Sequence, residues 1–139
     1  MIADYIAGNK LVINGDKTHL VFMGTKKTAA HRDEVKLEAG PHTILSSSTE
    51  KLLGCQISQD LKWNKHILEG EESLVKQITS RINGLCMLSS RASFQTRLMV
   101  ANGIVVSKLC YLIQLWGGCE DYLLKPLQVL QNRAARLVT

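Results

Sequence analysis

Lys17 is the residue whose type and setting come nearest to chemistry in this sequence. It follows an Asn14-Gly15-Asp16 turn and stands at the head of a strand-like run from Thr18 to Met23. An ammonium placed there can pair with a phosphate and can donate a proton. The plainer reading is an exposed lysine after a turn, and residue type alone favours it. A second place of interest is Gly54, which interrupts the apolar run Leu52, Leu53, Cys55 and Ile57. A glycine there either forms a strand bulge or lets the backbone come close to a ligand, and the residues leave these two readings level. Trp63 and His66 lie three apart and so share one helical face. Such a pair could stack on a base, but anchoring a helix against a sheet is the more ordinary role.

Other chemistries find little support. The adjacent acidic pairs are Asp33-Glu34, Glu71-Glu72 and Glu120-Asp121, and none lies in an apolar strand. No Asp-Asp pair occurs, so no pair of carboxylates is set to hold two Mg²⁺ ions against phosphates. Cys55, Cys86, Cys110 and Cys119 are not spaced as metal ligands, and His19, His31, His42 and His66 are scattered. Reduced, buried thiols and no metal site are expected. The net charge of +5 is uneven: residues 1–72 hold nine basic and ten acidic side chains, whereas residues 73–139 hold eight basic and two acidic, a net +6. A basic half suits a polyanionic partner. A solubilising face is the commoner explanation of the same charge.

The elements that must position these residues fall into two groups. The end of a helix is expected over residues 2–9, closed by Gly8-Asn9. Short strands are expected at Thr18 to Met23, Glu34 to Glu38 with Val35 and Leu37 inward, Thr43 to Leu45 after a Gly40-Pro41 turn, and Leu52 to Ser58. A mobile connection is expected over Gly24 to Ala30, and a serine-rich bend before the last strand. From Asn64 onward the pattern is helical. Ile67, Leu74, Ile78, Ile82 and Leu85 share one face, with a kink near Gly70. A second helix is expected from Ser93 to Leu115, capped by Ser93 and Thr96, with Leu98, Ala101, Val105, Leu109 and Leu112 in line. A third begins at Glu120-Asp121, with Leu123, Leu127, Leu130, Ala134 and Leu137 as its stripe. The Leu98 to Leu115 stretch is interrupted by Asn102, Lys108 and Gln114. It therefore reads as a buried helix, not a membrane span. No signal peptide is visible, and an intracellular location, cytoplasm or nucleus, is expected.

Taken in order, these motifs resemble the end of the reverse transcriptase domain of non-LTR (LINE-type, Jockey-like) retrotransposons. The family's Asn-x-Leu-x-Leu/Val-Asn-x-x-Lys-Thr signature is matched by Asn9, Leu11, Ile13, Asn14, Lys17 and Thr18. Tyr5 stands where the family usually has a tryptophan. The Lys-x-Leu-Gly element and the Trp-x-x-His-Ile after it are matched by Lys51, Leu53, Gly54, Trp63, His66 and Ile67, with Leu61 between them. Leu115-Trp116-Gly117-Gly118 and Leu127 to Arg136 look like the closing helices. The resemblance covers nearly the whole chain. It implies an α+β fold in which residues 1–62 are a late-palm fragment, a small antiparallel sheet with a primer-grip-like hairpin, and 63–139 a three-helix, thumb-like bundle. It implies that Lys17 is the leaving-group acid of the parent enzyme. It implies that Leu53 and Gly54 support the primer end. Lys76, Arg81, Arg91, Arg97, Arg133 and Arg136 would contact nucleic-acid phosphates. Partners in the parent are an RNA template, a DNA primer and an upstream palm that carries the Asp-Asp strand and its Mg²⁺. No cofactor is expected in this chain itself.

Three functions compete. The first is a piece of an RNA-directed DNA polymerase that is inactive alone. The second is a basic module that binds nucleic acid without catalysis. The third is a structural remnant of a degenerate element.

Overall fold

Two compact units, Met1–Lys62 and Trp63–Thr139, make up the chain. The computed structural model describes residues 5–6, 8–24, 35–39 and 42–139. The expected connection after Gly24, the Gly40-Pro41 turn, His31 and the Asp33-Glu34 pair lie outside them.

The first unit is built from two antiparallel hairpins. Strands β1 (Lys36–Ala39) and β2 (His42–Leu45) pair with Leu37 opposite Ile44. Ile44 is buried, but Leu37 faces out, so the expected inward placement of Leu37 is not found. Strands β3 (Thr49–Leu52) and β4 (Cys55–Ser58) pair with Leu52 opposite Cys55. The expected single strand from Leu52 to Ser58 is therefore a reversal. Leu53 and Gly54 both take positive φ, 50° and 82°, which is the backbone of a two-residue type I′ turn. Glycine adopts this freely, whereas leucine does so at a cost.

The expected strand over Thr18 to Met23 also differs. Among the described residues its ladder is one parallel bridge, Leu20 to Ser46. Serine groups replace further strand pairing there. The Ser47 N–H donates to the Leu20 carbonyl at 2.8 Å, and the Phe22 N–H donates to Ser46 Oγ at 3.3 Å. The partner is a serine bend, which satisfies an extended segment without forming a sheet.

The second unit is helical throughout. Helix α1 (Asn64–Ile67) stops before Gly70, whose φ of +84° makes a full break where a kink is expected. Helix α2 (Leu74–Ser89) comes next. Its Leu74, Ile78, Ile82 and Leu85 are all at most 1% exposed, as the periodicity predicts. Burying each such side chain contributes about 1.5–3 kcal/mol. Helix α3 (Phe94–Ala101) is capped as expected: Ser93 Oγ accepts from the Thr96 N–H at 3.3 Å.

The second expected helix is interrupted twice. A π-helical stretch, Asn102–Val106, follows α3 and leads into α4 (Ser107–Cys110). Leu112 then takes φ 54° and separates α4 from α5 (Ile113–Trp116). Within the π stretch the turn widens, so residues four apart stay in line. Ala101, Val105 and Leu109 are buried, while Leu98 is exposed and Leu112 half-buried. Helix α6 (Asp121–Val138) packs on both α2 and α3. Its buried stripe is Leu123, Leu127, Leu130, Ala134 and Val138; Val138, not Leu137, closes it. Among the described residues the architecture is α+β, with two small antiparallel sheets and a helical unit.

Candidate functional site

In the first unit the candidate site begins with Asn14. Its side-chain oxygen accepts from the Asp16 N–H at 3.0 Å, and its carbonyl accepts from the Lys17 N–H at 3.2 Å. The Thr18 hydroxyl donates to the same carbonyl at 2.8 Å. These bonds wind Gly15–Lys17 into one 3₁₀ turn. Asn14 and Thr18 thus hold the turn that presents Lys17. Gly15 is also constrained. A Cβ there would come within 2.5 Å of the His42 ring, so β2 lies directly against the turn.

Lys17 is exposed and lines a cavity of about 580 Å³. Lys51, Leu52 and Ile57 of the β3–β4 hairpin line the same cavity, with Leu20, Val21 and Met23 as further apolar wall. His19 and Glu50 meet at its edge, His19 Nδ1 to Glu50 Oε2 at 3.4 Å. The two sequence motifs, more than thirty residues apart, therefore converge on one concavity. Leu53 and Gly54 form the tip of the hairpin beside it, and Leu53 is 74% exposed. Lys51, His19 and Glu50 were not singled out as site residues from the sequence. The β3–β4 hairpin brings Glu50 and Lys51 here, and the segment after the Gly15–Lys17 turn brings His19.

Beyond the hairpin, Asp60 organises the end of the unit. The Ser58 hydroxyl donates to Asp60 Oδ1 at 2.5 Å, and the Lys62 N–H reaches the same oxygen at 3.3 Å. The Ser58 bond, ahead of the others, draws the Asp60 carboxyl below its ordinary pKa.

In the second unit the six expected phosphate contacts divide by partner. Arg81 donates to the Ile104 carbonyl at 2.7 Å and so ties α2 to the π stretch. Arg97 donates to the Leu137 carbonyl at 3.2 Å and closes the C-terminus of α6. Both are half-buried. Arg133 reaches Asn83 Oδ1 at 3.3 Å, and Lys76 pairs with Glu71 at 3.2 Å, each at an exposed position. Arg91 and Arg136 are exposed. Arg133 thus links α6 to α2 at the surface, while Arg81 and Arg97 also serve the fold.

His66 is 5% exposed and lies between two indoles, 6.1 Å from the Trp63 ring and 6.4 Å from the Trp116 ring. Burial pushes its pKa below the ordinary value, and the Lys108 ammonium adds to the shift. The Trp63–His66 pair thus forms an aromatic anchor with Trp116 inside the helical unit. Among the thiols, Cys55 is buried, but Cys86 and Cys110 are exposed, which corrects the expectation that all four are covered. Among the described residues no group of three or more His, Cys, Asp or Glu suits a metal ion. No described helix is long and apolar enough to cross a membrane.

No protein-family model matches the chain, and no solved structure does. The sequence is 27% identical over 129 residues to the "Probable RNA-directed DNA polymerase from transposon X-element" of Drosophila melanogaster. The alignment covers 91% of this chain but 13% of that protein, so the chain spans only a small part of its relative. The similarity relates the chain to a retrotransposon reverse transcriptase.

Proposed function

We propose that the chain is the late-palm and thumb part of a retrotransposon RNA-directed DNA polymerase, and that alone it binds template–primer without extending it. The observation that carries this reading is the shared cavity: Lys17 from the first motif and Lys51 and Leu52 from the second line it together, beside the Leu53-Gly54 tip. A cationic rim over an apolar wall suits a nucleotide end, with phosphate on the ammonium groups and base or sugar against the aliphatic side chains. In the parent enzyme Lys17 would protonate the leaving pyrophosphate, and the hairpin tip would support the primer. Mg²⁺ belongs to carboxylates outside these residues, and no described group here suits it. The basic excess of residues 73–139 would hold the phosphate backbone of an RNA–DNA hybrid without reading its sequence.

Fluorescence anisotropy with a labelled RNA–DNA hybrid across a salt series tests the reading. Affinity is expected to fall steeply as salt rises, because each phosphate contact releases counterions. Replacing Arg91, Arg133 and Arg136 by Gln, while sparing Arg81 and Arg97, should weaken all sequences alike. It should lower the salt slope by about one unit per lost contact. No binding at low salt would favour the structural remnant. An unchanged slope would take these three arginines out of the contact surface.

A further inference from the structure

The helical unit also carries an apolar surface. Between α3, the π stretch and α6 runs a cavity of about 300 Å³, with Phe94, Leu98, Val105 and Val138 on its walls. It continues into one of about 240 Å³ toward Ile113 and Trp116. The two share Val106 and Gln131, so they form one groove. None of the side chains lining either part is charged. Phe94 is 52% exposed and Ile113 45%, so large apolar groups stand open to solvent along its length. On α6 the lining runs from Leu124 to Thr139, about 22 Å at the helical rise, which is room for four turns of a second helix.

Charge selects the occupant. Exposed Lys125 follows Leu124 on α6, and exposed Arg136 follows Ala135, so both stand beside the lining positions. Arg97 holds the Leu137 carbonyl at the same end as Val138. Residues 73–139 carry net +6, so a second copy would set like charge against like. We propose that this groove is the docking site for an acidic amphipathic helix of a protein partner. Its apolar stripe would fill the groove, and its carboxylates would face Lys125 and Arg136.

The probe is a fluorescein-labelled peptide of about 18 residues, with leucine at i, i+3, i+4 and i+7 and glutamate elsewhere. It is compared with a twin carrying lysine in place of glutamate. The full chain should bind the acidic peptide saturably and the basic twin at least about tenfold more weakly. Ala135 is exposed and lines the groove, so Ala135→Trp fills it without touching the core and should weaken binding by about tenfold or more. Lys125→Glu with Arg136→Glu should reverse the charge preference. Thermal melts of each variant control for folding. Equal binding of both peptides, no binding of either, or binding unaffected by Ala135→Trp would overturn the proposal. So would a dimer in sedimentation that Ala135→Trp dissolves.

Discussion

Replacing Leu53 by Asn should make the β3–β4 hairpin more stable, although it exchanges an apolar residue for a polar one. Leu53 opens the turn at φ 50° and Gly54 completes it at φ 82°. For an L-residue with a Cβ the left-handed region costs about 1–2 kcal/mol. Asparagine tolerates it better, and Asn-Gly is the preferred pair for this turn. Leu53 is 74% exposed, so little burial is lost in exchange. The net gain should be about 1 kcal/mol, or about fivefold in the opening equilibrium. Both tryptophans lie in the helical unit, so indole fluorescence would not see the change. Native-state amide exchange of β3 and β4 would, as about fivefold slower exchange at hairpin amides. Leu52→Asn, one residue earlier and inside β3, should have the opposite effect, because asparagine is disfavoured in strands. Exchange that is unchanged or faster in Leu53→Asn would refute the strain argument. If the variant also binds the hybrid more weakly, the leucine is kept at the tip for contact, not for the turn.

Two further outcomes concern half-buried and buried groups. His66 has a folded pKa below its ordinary value, so the folded chain keeps it neutral while the unfolded chain takes up a proton as pH falls through about 6.5. Stability is therefore full above that pH and declines below it, by at most about 1.4 kcal/mol per pH unit, until the folded group also protonates. Urea unfolding followed by tryptophan fluorescence between pH 8 and 5 should show this decline, and His66→Gln should flatten it; a parallel decline in the variant would assign the effect elsewhere. Arg97→Gln should destabilise the helical unit by about 1.5–3 kcal/mol through loss of the Leu137 carbonyl bond, whereas exposed Arg91→Gln should leave it within about 0.5 kcal/mol, as calorimetry can check.

The contrast between those two arginines shows where sequence reading stops. Both look like charges on a helix exterior, and only the fold reveals that one ends on a backbone carbonyl. The stripe from Leu74 to Leu85 was legible because burial imposes a periodicity that every residue in it obeys. Ser93 was legible because its hydroxyl acts on a neighbour three residues away. The reversal at Leu53 and the break at Leu112 were not, since leucine carries no turn signal. Thr18 to Met23 has strand composition, but its partner is a serine bend, and no local pattern names a partner. Lys17 stood out through the motif it shares with Asn14 and Thr18, since its turn alone favours an exposed lysine. That Lys51 shares its cavity depends on hairpin register, which lies beyond local spacing.

The π-helical stretch at Asn102–Val106 has a consequence for chain length. Such a stretch holds one more residue than the α-helical turn it replaces, with the flanking helix left in place. It is therefore the point at which this part of the chain can gain or lose a single residue without rotating the helices downstream. Ala101 before it and Leu109 and Trp116 after it are all buried. Arg81, fastened to the Ile104 carbonyl from a separate helix, marks the widened turn from outside. A length difference of one residue between relatives at this place would be absorbed by a change of hydrogen-bond register, and the aromatic contact around His66 would survive it.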